Sequence, residues 1–162
     1  MSDQETAKIN LIHKNINIQV QLPTGTADGR YCFTEEFYGK PLSEWVYLTH
    51  KFMSVQMGWE VKHLFPGTFG YDNFAHSIAH ALINREIIVE DMANLVHEGW
   101  VHNYTWWRDN KPWLTNPKYK QPFSPLGDPR REECAQLSFN DLPEEEKQKD
   151  VYIAMFLLQS TN

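Results

Sequence analysis

His97, Trp100, Tyr104, Trp107 and Arg108 recur at i, i+3, i+7, i+10 and i+11 within the stretch Glu90 to Arg108. At 3.6 residues per turn, that spacing lines up three flat rings, an imidazole and a guanidinium along one stripe of a helix. Such a stripe can hold a planar, hydrogen-bonding, anionic ligand, since rings stack on rings and guanidinium groups pair with phosphate. Arg130 and Arg131 supply two more cations for the phosphate side. The alternative is plain packing, the usual fate of large rings on a helix. Both readings stay open on these residues alone.

His76 and His80 offer a different chemistry. At i, i+4 they share one helical face, a spacing that zinc helices use. The residues between them are Ser77, Ile78 and Ala79, so the glutamate base of an H-E-x-x-H motif is missing. A small metal-dependent hydrolase would need a third ligand such as His50 or His63. A polar pair covered by neighbouring helices is the simpler reading, and no metal or cofactor is expected. His97 and His102 cannot share an ion, because five residues of helix set their rings about 140° apart. Cys134 near Arg130 and Arg131 reads as a structural thiol rather than a nucleophile. Glu144, Glu145 and Glu146 suit a helix start and need no catalytic role. G-x-S-x-G, P-loop and G-x-G-x-x-G motifs are lacking.

The elements that would position these residues can be read from periodicity. The stretch from Glu90 presents a core stripe of Met92, Leu95, Val96, Gly99 and Trp106, and a water-facing stripe of Asp91, Asn94, Glu98, His102 and Thr105. A second helix is predicted over Leu42 to Gln56, with Pro41 near its first turn and Gly58 to end it. A third is predicted from a cap at Asp72 or Asn73 to about Ile87. A last one starts at Leu142-Pro143-Glu144 and runs through Val151, Ala154, Met155, Leu157 and Leu158 to near the end. Ile16, Ile18, Val20 and Leu22 alternate with polar residues as in a half-buried strand; Tyr31, Phe33 and Phe37 are a further strand candidate, and Trp59 to Phe65 another. Residues 1 to 8 read as a disordered lead-in. Between Lys111 and Arg131, five prolines preclude a regular helix, and the interleaved Trp113, Tyr119 and Phe123 would let this loop fold back as an ordered cover.

Composition sets the bounds. A chain of 162 residues can bury a real core, and 14% aromatic content with six Trp is high. A net charge of -6 and no basic run longer than Arg130-Arg131 argue against duplex nucleic acid. Cys32 and Cys134 form no C-x-x-C, so neither a disulfide framework nor a thiolate zinc site is indicated. No stretch approaches the roughly 18 apolar residues of a membrane span, and the polar, acidic opening MSDQETAK is unlike a signal peptide. A cytoplasmic protein is expected.

Two motifs in order carry a family resemblance. LVHEGW (Leu95 to Trp100), followed after a loop by LSFNDLPEEEKQKD (Leu137 to Asp150) and a closing amphipathic helix, resembles the ryanodine-receptor repeat domain over about residues 88 to 160. Val96, His97, Glu98 and Trp100 match its V-H-E-x-W motif, and Phe139, Leu142, Pro143, Glu146 and Lys147 match its last motif. The family's G-W-x-Y-G segment has no counterpart, and Arg130-Arg131-Glu132-Glu133-Cys134 replaces its lysine-x-histidine-proline segment. The resemblance implies a binding module rather than a catalyst, with Trp100 lining a groove for an adenine-nucleotide-like ligand. Stand-alone relatives in bacteria and their viruses resemble modules proposed to sense or sequester nucleotide-derived signals; if this chain is viral, a sponge for a host immune signal nucleotide is the specific version. The expectation is an α+β, mainly helical protein: a lead-in, an N-terminal α+β extension over 9 to 87, and a repeat-like unit over 88 to 162. It would bind a small nucleotide-type ligand, with no duplex nucleic acid and no membrane, as a monomer or a homo-oligomer. A protein-interaction module using the Trp- and Pro-rich loop is the second reading, and the His76/His80 hydrolase the third.

Overall fold

A computed structural model describes residues 21–124 and 127–162. The lead-in and nearly all of the Ile16–Leu22 alternation lie outside these residues; Leu22 itself is in irregular, exposed backbone. Among the described residues the protein is mainly helical with one small antiparallel sheet: β1 (Glu36–Phe37), β2 (Lys40–Pro41), α1 (Leu42–Met57), α2 (Phe69–Ile83), α3 (Val89–Asn110), α4 (Pro129–Ala135) and α5 (Glu144–Ser160). In the hairpin Glu36 pairs with Pro41 and Phe37 with Lys40. Trp45 on α1 donates its indole N–H to the Phe37 carbonyl at 2.8 Å, so the sheet is tied to the helix that follows it.

Each helix forms where an apolar stripe meets a terminator. On α1, Leu42, Trp45, Val46, Thr49 and Met53 are buried, and Gly58 closes the helix at φ 76°, a left-handed conformation that glycine adopts without a Cβ clash. The cap of α2 falls four residues earlier than Asp72. Thr68 accepts the Tyr71 N–H through its hydroxyl, because the Pro66-Gly67 turn presents a threonine before the helix. Asp72 is therefore inside the helix, and buried. The helix also stops at Ile83 rather than Ile87, with Asn84 donating its amide to the His80 carbonyl at 2.9 Å. Trp59 to Phe65 forms no strand; with no sheet edge beside it, its Trp59, Val61 and Phe65 stay exposed. The proline-rich segment holds a 3-10 turn at Pro112–Leu114 before α4, whose Pro129 occupies the first turn, where the missing N–H costs nothing.

α3 is the central element. It packs on α2, α5 and α4, and one core joins Leu42, Trp45 and Ile78 to Val96, Ile153 and Leu157, residues on both sides of position 88. Gly99 lets α3 approach α2 closely, for a Cβ there would stand 2.8 Å from Ser77 Cα. A second core of Phe69, Tyr104, Trp107 and Phe123, with Trp113 and Tyr119 against it, fills the space under the proline-rich loop. None of the described helices is long and apolar enough to cross a membrane.

Candidate functional site

The helical spacing that lines up His97, Trp100 and Tyr104 produces a column of nearly parallel rings. Trp100 lies 6.2 Å from His97 at 11° and 5.4 Å from Tyr104 at 14°. The members differ in access. Tyr104 and Trp107 are fully buried, and His97 nearly so, while Trp100 is half-buried and reaches open space. The cover comes from the loop: Trp113 stacks near Trp107 at 6.1 Å, Tyr119 meets it edge-on at 5.6 Å, and Phe123 packs on Tyr104 at 5.2 Å. Trp106, assigned by periodicity to the core, is only half-buried, because the loop supplies its rings to the Trp107 side instead.

Trp107 donates its indole N–H to Asp72 Oδ2 at 2.8 Å. Asp72 also accepts from Asn103 Nδ2 at 3.0 Å and from the Ala27 N–H at 3.0 Å. Asn103 in turn accepts from Asn73 Nδ2 at 3.1 Å. Burial raises the Asp72 carboxyl to about 6 in spite of these three donors. The Arg108 guanidinium lies 5.8 Å from the Tyr104 ring centroid and lines neither cavity at Trp100. It pairs with Glu132 at 2.9 Å and Asp109 at 2.9 Å, beneath a Tyr104 hydroxyl that donates to the same Glu132. Burial and the Glu132 carboxylate together push that phenol up to about 12.

Two cavities meet at Trp100. The first, about 190 Å³, lies between α1, α2, α3 and α5 and is lined by Trp59, Phe74, His97, Trp100, Cys134, Lys149 and Asp150 among others. His97 Nε2 donates to the Leu137 carbonyl at 2.7 Å, which fixes its tautomer and leaves Nδ1 bare, 3.9 Å from Asp150 Oδ2. Burial drives the Asp150 carboxyl well above the carboxylate range, partly opposed by Lys149. Cys134 is buried, and burial raises its thiol, as befits a structural cysteine. The second cavity, about 400 Å³, collects Lys120, Arg130, Arg131 and Lys149 around the first turn of α2 at Thr68, Phe69 and Gly70. Asn73, Phe74, Trp100 and Lys149 line both. Arg130 is held by Glu146 at 3.0 Å and Arg131 by Asp128 at 2.8 Å; the Arg131 guanidinium also lies 5.1 Å from the Phe69 ring.

The two histidines of H-x-x-x-H part company. His80 turns to Glu98 at 3.2 Å. His76 sits between Asp28 Oδ2, 3.7 Å from its Nδ1, and His102 Nδ1, 3.0 Å from its Nε2. Burial lowers His76 to about 4. His50 packs edge-on against Phe74 and His63 against Phe65, so neither belongs to that group. Sequence reading missed Asp28, Asp72, Lys120, Lys149 and Asp150. Asp72 is one turn before His76 on the same face, a signal that its assignment as a cap concealed. Comparison with family models, with characterised proteins and with solved structures finds no match to this chain.

Proposed function

We propose that the protein binds a small nucleotide-type anion without transforming it, holding the flat part against Trp100 and the phosphate in the adjoining cationic cavity. The observation that carries this reading is the shared wall: Trp100 borders both a cavity with hydrogen-bonding groups at His97 and Asp150 and a cavity where four cations meet the N-terminal turn of α2. Stacking a base on an aromatic ring contributes roughly 1–3 kcal/mol. The α2 N-terminus and the guanidinium groups favour a phosphate placed between them. Arg130 and Arg131 are engaged with carboxylates, but partly exposed pairs of that kind contribute only about 0–1 kcal/mol each, so a phosphate can displace them.

The likeness of Leu95 to Trp100 and Leu137 to Asp150 to ryanodine-receptor repeats points the same way. In a virus, such binding would act as sequestration of a signal nucleotide. Matched nucleoside and nucleotide pairs, cyclic forms included, test this by thermal shift. A bound nucleotide stabilises by RT ln(1 + [L]/Kd), and raising the salt concentration should weaken the nucleotide shift much more than the nucleoside shift. Equal shifts for both members of every pair would remove the phosphate site from the account.

A further inference from the structure

We propose that Asp28, His76 and His102 form a site for one divalent transition-metal ion of the zinc class. The three come from a loop, from α2 and from α3, and each offers one ligand atom within 4.8 Å of the others. A carboxylate with two imidazoles is a donor set that suits zinc and neighbouring first-row ions.

The carboxylate is already oriented. Thr26 Oγ1 donates to Asp28 Oδ1 at 2.8 Å and the Arg30 N–H does so at 3.0 Å, which leaves Oδ2 turned toward His76 Nδ1. Such outer contacts are what fix a ligating carboxylate in a metal site. His76 is 1% exposed, and its buried Nδ1 has no hydrogen-bond partner among the described residues. Buried polar atoms are almost always satisfied, so an unsatisfied imidazole nitrogen beside a free carboxylate oxygen is a place for a cation. The His76 and His102 rings stack at 4.8 Å and 18°, nitrogen to nitrogen at 3.0 Å. Ligand atoms around a tetrahedral ion at about 2.0–2.1 Å stand roughly 3.4 Å apart. The Asp28 Oδ2 to His76 Nδ1 separation of 3.7 Å is close to that spacing; the 3.0 Å contact with His102 is made by the other His76 nitrogen, Nε2, at hydrogen-bond distance. His102 is exposed, which gives the ion a path from solvent.

Chelator-stripped protein titrated with Zn2+ by calorimetry, and with Co2+ by visible absorption, tests the site. One equivalent of Zn2+ should bind, and Co2+ should develop d–d bands. His102→Ala and Asp28→Asn, neither of them an apolar core residue, should each weaken Zn2+ by roughly tenfold or more while circular dichroism shows the fold kept. His80→Ala should bind as the parent does. Absence of saturable one-equivalent binding overturns the proposal. So does Zn2+ binding that survives in both His102→Ala and Asp28→Asn, or that falls as far in His80→Ala.

Discussion

Asp72 is a buried carboxylate whose pKa burial raises from 3.8 to about 6. The folded state therefore holds this proton more tightly than the unfolded chain does. Below pH 3.8 both states are protonated and the group makes no difference. Between 3.8 and 6 the unfolded chain loses the proton first, so stability falls as pH rises, and above 6 the full cost is present. A gap of that size, at 1.36 kcal/mol per pKa unit, amounts to about 3 kcal/mol. His76, lowered to about 4 chiefly by burial, acts in the opposite direction in the parent protein, so the two slopes mask each other. Comparison with Asp72→Asn isolates the carboxylate. Urea unfolding followed by far-UV circular dichroism at intervals from pH 4 to 7 gives the stability of each protein. The advantage of the parent over Asp72→Asn should shrink by about 2.5 kcal/mol across that range. An advantage that stays flat, or grows with pH, would mean that the Trp107, Asn103 and Ala27 donors outweigh burial, and the reasoning fails.

Gly99→Ala should destabilise by about 1–3 kcal/mol in thermal or urea unfolding, because the added methyl would stand 2.8 Å from the Ser77 backbone; a stabilised variant would show that the helix crossing is looser. Trp107→Phe removes a donor to buried Asp72 and leaves a space where the second ring of the indole was packed, and should cost at least about 1–3 kcal/mol by the same measurement. Arg131→Ala should weaken phosphate-bearing ligands in thermal shift, whereas Arg108→Ala, engaged with Glu132 and Asp109 outside both cavities, should leave them unchanged.

The central helix was legible because its information is local. Met92 and Val96 are buried as the 3.6-residue period requires, and the same period produces the parallel rings of His97, Trp100 and Tyr104. Periodicity could not say which rings would be covered. Tyr104 and Trp107 are buried by Trp113, Tyr119 and Phe123, whose arrival depends on how a proline-rich segment closes, not on the helix. Asp28, His76 and His102 come from three separate segments, and no spacing rule relates them. His80 is the neighbour that spacing gave His76, yet Glu98 on the adjoining helix takes it. Asp72 looked like a cap because Asp favours that position; Thr68, beside the Pro66-Gly67 turn, had the prior claim.

The most direct measurement for ligand binding at Trp100 is titration calorimetry of the parent and of Trp100→Ala with an adenine nucleotide and with cyclic nucleotides. The account predicts saturable binding of at least one of these to the parent, and a loss of roughly 1–3 kcal/mol of binding free energy in Trp100→Ala. The same variant should keep its melting transition, because its indole is half-buried at the edge of both cavities. Equal affinity in the two proteins, or no heat with any nucleotide while Trp100→Ala unfolds as severely as Leu157→Ala, would contradict it: Trp100 would then be a core residue and the ring column a packing device.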